Sequence, residues 1–428
     1  MRIGIITIGS RGDVQPYIAL GTAFKRAGYE VRLLTHGTFA DAVREEGLEF
    51  ADLGVDPRTV MEQVMQEAGL AQDARRIALF RQMAFMRQAL RIAQPLLQEG
   101  VQRAWQATQD VDALVLSVLG VYVGIPFARK RGIPAFAAYV QPLSPTREFP
   151  SVLFPPAPSW LAAVASSYNR LSAEVVERIR WPMYRGSIGK AVHAFLGTPL
   201  RSPLAQMRRE HTPIFYGFSQ HVLPRPADWP DFCQVTGYWF LDSRETWSPP
   251  ADLEAFLQAG PPPVYIGFGS MRGADEQGLT EEIIHALGRS GQRGILLTGW
   301  GAIKHLSLPE TMFAVDAVPH DWLFPRVAAV VHHGGSGTTG AGLRAGLPSL
   351  IVPFIGDQFF WGRQIWERGL GPEPIEQTHV NAERLSQAIT TMMTDQTMRQ
   401  RAATVGERIR SEDGMGNVVR LFEQALRG

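Results

Sequence analysis

Residues 2–8 form a short β-branched apolar run that stops at Gly9; an amphipathic stretch follows over 14–27, and a second apolar run fills 31–34. Short apolar runs alternating with stretches of helical period predict strand, glycine turn, helix, strand. The rhythm continues through a helix over 38–46, an edge-like strand over 48–53, and strands over 113–117 and 135–139. Between 73 and 108, Ile77, Phe80, Met83, Ala84, Met86 and Leu90 recur at helical spacing, with Arg81 and Arg87 among them. One or two long amphipathic helices are predicted there, lying in the core or along a membrane surface. From 141 to 201 the strand rhythm stops and proline, serine and aromatic residues accumulate, which predicts a long irregular insertion with a functional role.

After short strands over 213–217 and 233–237, the chain turns polar and reaches Pro261, Pro262 and Pro263. The alternation then restarts with strands over 264–268, 294–298, 313–315, 328–331 and 349–352 and helices over 276–290 and 337–345. The fold class is therefore α/β: two doubly wound parallel sheets facing across a cleft, with ligands at the carboxyl ends of the strands. The expected division is an N-terminal domain over 1–240, a linker over 241–262, a C-terminal domain over 263–410, and a C-terminal helix over 411–428 that can pack back on the N-terminal domain.

The length of 428 residues suits two or three domains. Lys and Arg number 42 against 41 Asp and Glu, so no net field gathers nucleic acid or an anionic bilayer, and any polyanion must be bound locally. The single cysteine, Cys233, excludes an intrachain disulfide and a multi-cysteine metal site, as in a reducing compartment. The apolar start is shorter than the core of a signal peptide, and the stretch near 115–128 is broken by Ser117, Gly120 and Gly124, so neither export nor a membrane span is expected.

The strongest local signal is HHGGSGTT at 332–339, where a buried-looking strand runs through two histidines and a Gly/Ser/Thr turn into a helix. Glycines let backbone approach a ligand closely, and a helix start presents free N–H groups and a partial positive charge, so a diphosphate can sit there. An ordinary tight turn with a hydroxyl cap is the alternative. GFGS at 267–270 can lend Ser270 to the same phosphates. GSRGDVQP at 9–16 places Asp13 near a helix start, as a cleft-facing carboxylate or simply as a cap. GDQ at 356–358 puts Asp357 and Gln358 past a strand end, where a carboxylate and an amide suit vicinal hydroxyls; helix capping by Asp357 is the plainer reading.

Rival motifs are weaker. The literal GxGxxG at 335–340 lacks a ribose-binding acid after the next strand, GxxxxGK[ST] and GxSxG are absent, and the DxD at 110–112 precedes a buried strand and reads as a turn.

Taken together, HHGGSGTT, GLRAGLP at 342–348, VPF at 352–354 and GDQ resemble the donor-site signature of nucleotide-sugar-dependent glycosyltransferases with the two-domain GT-B fold. With GSRGDVQP and QPLSPT at 141–146, the likeness is greatest to sterol 3-beta-glucosyltransferases and related bacterial natural-product transferases. The resemblance implies that His332, His333, Gly334, Ser336, Gly337, Thr338 and Ser270 surround the donor diphosphate, that Asp357 and Gln358 bind the sugar, and that Val318 meets the nucleobase through its backbone. It makes Asp13 the catalytic base, with Ser10 beside the acceptor. Plant-type relatives carry a tryptophan where this chain has Ala317 and a histidine base where it has Asp13, so the choice between uridine and thymidine nucleotides stays open.

The implied reaction moves a hexose, glucose by resemblance, from a UDP-sugar to an apolar alcohol such as a sterol, inverting the anomeric centre, with no cofactor and no metal. The aromatic residues Tyr139, Phe149, Phe154 and Trp160 of the insertion region suit a rigid apolar acceptor, or alternatively pack in the N-terminal core. Other readings are a macrolide, carotenoid or flavonoid transferase using a UDP- or TDP-sugar, a nucleotide-sugar epimerase, and a non-catalytic sugar-nucleotide sensor. The expected partners are the nucleotide sugar and a small alcohol, without nucleic acid. The expected location is cytoplasmic, with peripheral bilayer contact through the arginine-bearing helices over 75–103.

Overall fold

The computed structural model describes residues 1–54, 60, 63, 78–197, 201–243, 247–269, 276–298 and 308–427. Two compact units emerge: Met1–Gln220 with Pro224–Leu241 and Asp413–Gly428, and His221–Leu223 with Asp242–Glu412.

The first unit holds β1 (Arg2–Ile6), α1 (Arg11–Arg26), β2 (Glu30–Thr35), α2 (Ala40–Glu45), β3 (Glu49–Asp52), α3 (Ala78–Ala107), β4 (Ala113–Leu116), α4 (Val121–Arg131) and β5 (Ala135–Tyr139). Then come α5 (Ala165–Gly186), α6 (Ile188–Leu196), α7 (Pro203–Arg209), β6 (Ile214–Tyr216) and β7 (Cys233–Val235). Its strands form a seven-stranded sheet in the order β3-β2-β1-β4-β5-β6-β7, every pair parallel. The order reverses between β1 and β4, and the crevice at the carboxyl ends of such a pair is where doubly wound sheets bind ligands. The loop leaving β1 carries Gly9 and leads into α1, whose first turn holds Asp13.

Ile3, Ile5, Leu33, Val115 and Phe136 of the sheet bury against Val14, Ile18 and Phe24 of α1. The chain's last helix, Gly414–Arg427, joins this core: the Phe422 ring lies 4.9 Å from Phe24 and 4.6 Å from Phe136. Among the described residues no helix is long and apolar enough to cross a membrane.

The insertion differs from its sequence pattern. Among the described residues the main irregular stretch is 140–158; a 3-10 turn over Ser159–Val164 leads into α5 and α6. The helical period was hidden because α5 buries polar residues and exposes apolar ones. Asn169 donates to the Arg147 carbonyl at 3.0 Å and Ser172 Oγ accepts from the Ser151 amide at 2.7 Å, whereas Leu171 and Ile179 face solvent. The long stretch before it is one helix, α3; residues 73–77 lie outside the described part.

The second unit holds α8 (Ala251–Gln258), β8 (Val264–Gly267), α9 (Glu276–Ser290), β9 (Gly294–Leu297), β10 (Met312–Val315), α10 (His320–Leu323), β11 (Ala329–His332) and α11 (Ser336–Arg344). It closes with β12 (Ser349–Ile351), α12 (Gln358–Glu367), α13 (Ala382–Thr394) and α14 (Gln396–Ser411); the last helix of the chain is α15. Its five parallel strands run in the order β10-β9-β8-β11-β12. Both faces are covered, since Val264, Ile266 and Val331 bury in one cluster and Tyr265 and Val330 in another. Here the order reverses between β8 and β11, and the loop leaving β11 is the histidine and glycine run.

Candidate active site

In the first unit the site is built on the start of α1. Ser10 is the N-cap and Asp13 the third helical residue, so Asp13 takes part in capping from the N3 position of a capping box and not as the N-cap itself. The Ser10 amide and hydroxyl both donate to Asp13 Oδ2, each at 2.9 Å. Thr7 Oγ1 donates to the Asp13 carbonyl at 2.5 Å. Gly9 has φ +144°, and a Cβ there would stand 2.4 Å from Asp13 Oδ2, so only glycine lets the half-buried carboxylate rest at this spot. Burial raises the Asp13 pKa above the ordinary carboxylate value, and the Ser10 hydrogen bonds, which favour the charged form, restrain the rise. Asp13 is thus a carboxylate with one anchored oxygen and an increased appetite for a proton.

In the second unit, His332 ends β11 fully buried, and its Nδ1 accepts the Gly334 amide at 3.1 Å. An accepting Nδ1 leaves the proton on Nε2, and that buried Nε2 has no partner among the described residues. Burial pushes His332 well below the ordinary histidine pKa, and the neighbouring His333 lowers it further. Burial likewise lowers His333 to about 4, and its buried Nδ1 has no partner among the described residues. Neutral imidazoles therefore supply hydrogen-bonding groups here, and the positive potential comes from the helix start.

Gly334 has φ +91°, and its added Cβ would meet Ile351 Cγ2 at 2.7 Å. Gly335 caps α11 without a side chain, Ser336 is buried, Thr338 is half-buried, and a Cβ on exposed Gly337 would meet nothing within 4 Å. A helix start whose first amides lack intrahelical acceptors, beside open space and a buried unpartnered N–H, can hold an anion. Ser270 lies outside the described residues.

Asp357 takes the N-cap position of α12, but its Oδ2 accepts from Trp361 Nε1 at 3.1 Å instead of capping the helix amides. Buried Gln358 turns Oε1 to the amides of Phe354 and Ile355, at 2.7 and 3.0 Å. Its carbonyl thus shapes the loop. Val318 is half-buried against the cluster of Leu323 and Phe324.

The four aromatic acceptor candidates do not share one set of contacts. Tyr139 is buried with its hydroxyl 4.0 Å from Met207 Sδ, Phe149 packs edge-on to Trp229, Phe154 packs on Tyr168, and Trp160 is 78% exposed. A cavity of about 460 Å³ in the same unit is lined by none of them; Ser144, Glu174, Glu177, Arg208, Asp228 and Cys233 are among its walls. The pair at Asp110 and Asp112 is a structural clamp, Asp110 pairing with Arg2 and Arg32 and Asp112 accepting the Arg2 amide at 2.7 Å.

A sterol 3-beta-glucosyltransferase of Arabidopsis thaliana is 35% identical over 436 residues, covering 100% of this chain and 68% of the relative. The chain belongs to the sterol 3-beta-glucosyltransferase family. Within the family, the enzyme of Emericella nidulans is 34% identical over 438 residues, and that of Yarrowia lipolytica 35% over 439. Both alignments cover 100% of this family member, which spans only 30% and 29% of those two relatives.

Residues 3–149 match the glycosyltransferase family 28 N-terminal domain, and 297–424 match the C-terminal domain of the erythromycin biosynthesis protein CIII-like family. Among solved structures, the calicheamicin glycosyltransferase CalG4 superposes with a TM-score of 0.69 at 16% identity, covering 99% of this chain and 98% of that one. Glycosyltransferase VinC in complex with DTDP gives 0.68 at 19%, covering 100% of both. These neighbours establish the GT-B fold for this member of the family.

Sequence reading missed two supports of the site, His36 under the Gly9 loop and Trp361 on Asp357.

Proposed function

We propose that this chain transfers a hexose from a UDP-sugar to the hydroxyl of a sterol-like alcohol, with Asp13 as general base. The observation that carries this is Asp13 itself: a carboxylate held through one oxygen at the crevice of its sheet, its basicity raised by burial. The alcohol's proton passes to Asp13 as its oxygen attacks the anomeric carbon from the face opposite the diphosphate. An α-linked donor so yields a β-glycoside. On the second unit, the α11 start, the His332 Nε2–H and Thr338 take up the negative charge that grows on the leaving diphosphate, which requires no metal. Asp357 and the Gln358 amide address the sugar hydroxyls.

The experiment is product formation from UDP-glucose and TDP-glucose with a panel of sterols, macrolides and flavonoids, read by mass spectrometry, with a chelator in one arm. A hexose-shifted sterol formed despite chelator is the expected product. Asp13→Asn should lower kcat by about 10² to 10⁴ while UDP binding persists, the usual contribution of a general base. Near-normal turnover by that variant would remove Asp13 from the role. Isomerised UDP-glucose with every alcohol untouched would favour epimerisation instead.

A further inference from the structure

We propose that His36 is a positioning residue for Asp13, an inference that rests on Asp13 being the base. His36 follows β2 directly, is 1% exposed, and accepts the Gly9 amide on Nε2 at 3.0 Å. An accepting nitrogen carries no proton, so the ring is the neutral Nδ1–H tautomer. Gly9 is the floor under the carboxylate, its bare Cα facing Asp13 Oδ2 where a Cβ would come within 2.4 Å.

The other anchors of Asp13 come from its own loop: Ser10 through amide and hydroxyl, Thr7 through Oγ1. They fix the carboxylate relative to the loop, and of these anchors only Thr7, whose amide donates to the Leu34 carbonyl at 3.0 Å, is itself tied to β2, at the base of the loop two residues before Gly9. His36 stands one residue past the neighbouring strand, β2, which pairs with β1 in register from Arg2 opposite Glu30 to Ile6 opposite Leu34. Its hydrogen bond therefore ties the Gly9 turn to β2. Without it the turn beyond Thr7 can pivot on that anchor, with the Ser10 hydrogen bonds intact and the base displaced from the reacting hydroxyl.

The experiment compares His36→Phe, His36→Gln and His36→Asn with wild type and Asp13→Asn, using UDP-glucose and the best sterol of the panel. Glutamine can present Oε1 near the position of Nε2, whereas asparagine is one methylene short. A misplacement of the order of 1 Å costs about 100-fold, so His36→Phe should lower kcat by about 10- to 100-fold. The KM for UDP-glucose should stay within about 2-fold, because the donor's contacts lie on the second unit. His36→Gln should recover most of the lost kcat and His36→Asn should not. Wild-type kcat in folded His36→Phe, or equal impairment in glutamine and asparagine variants, would overturn the proposal. Should His36→Phe fail to fold, the glutamine and asparagine pair decides alone. Normal turnover by Asp13→Asn would instead remove the base assignment and this inference with it; an inactive Asp13→Asn beside a normal His36→Phe would remove only the positioning role.

Discussion

Replacing Gly334 by alanine probes the turn between β11 and α11, the proposed donor half-site. The backbone there has φ +91°, and forcing an L-residue into a left-handed conformation costs roughly 1–2 kcal/mol. The new Cβ would lie 2.7 Å from Ile351 Cγ2 and 3.2 Å from the Gln358 carbonyl oxygen. Carbon atoms rest at about 3.5 Å or more, so Ile351, buried at the end of β12, must yield by about 0.8 Å. Overpacking of this kind adds about 1–3 kcal/mol. The expected loss is about 2–5 kcal/mol, a large share of an ordinary stability of about 5–15 kcal/mol.

Urea unfolding, followed by circular dichroism and tryptophan fluorescence, measures it. Gly288→Ala is the control: it lies within α9, a Cβ there meets nothing within 4 Å, and it should gain about 0.5–1 kcal/mol. Ile351→Ala removes the clashing Cγ2, so the double variant should lose about 1–3 kcal/mol less than the sum of the singles. A Gly334→Ala protein with the wild-type midpoint, or strict additivity in the double variant, would refute the steric account.

Gly337→Ala should leave stability unchanged or raise it by up to about 1 kcal/mol, because nothing opposes the new methyl and alanine favours the helix. Its KM for UDP-glucose should rise about 10-fold as the methyl keeps phosphate from the amides; an unchanged KM would show that they are not used. The histidines carry a pH signature. With His333 lowered to about 4 and His332 also below its ordinary value near 6.5, the folded chain binds fewer protons than the unfolded one between those limits. Their stabilising contribution is complete above about pH 6.5 and falls by about 1.4 kcal/mol per pH unit per histidine on acidification, levelling off below the folded pKa. Urea midpoints of wild type and His333→Gln should therefore diverge in slope between pH 6.5 and 4, and parallel curves would contradict the burial argument. Phe422→Ala should cost about 3–5 kcal/mol, since the ring is fully buried against Phe24 and Phe136; a loss under about 1 kcal/mol would mean that α15 is not part of the first unit's core.

Parallel strands covered on both faces appear in a sequence as unbroken apolar runs, which is why both sheets are legible in the sequence. The HHGGSGTT turn was equally legible, because glycine's freedom at positive φ and the free amides of a helix start are local properties. The helix α5 was not, since Asn169 and Ser172 are buried by hydrogen bonds to Arg147 and Ser151, contacts that no periodicity records. Gln358 reads in the sequence as an amide beside Asp357 suited to vicinal hydroxyls, and only the structure shows that its carbonyl is held by the loop it follows.

By itself, then, the sequence determined the two parallel sheets, the glycine turns at their switch points and the residue types offered there. Those depend on interactions among neighbours in the chain. Tertiary structure decided how these groups are armed. Asp13 owes its raised pKa to burial, His332 keeps its proton on Nε2 because Nδ1 takes an amide, and the Gly9 turn is tied to a histidine just past the next strand. Phe422 completes a core begun by Phe24 at the other end of the chain. Protonation, tautomer and packing partner depend on which distant groups converge and exclude water, and no local pattern of residues encodes that convergence.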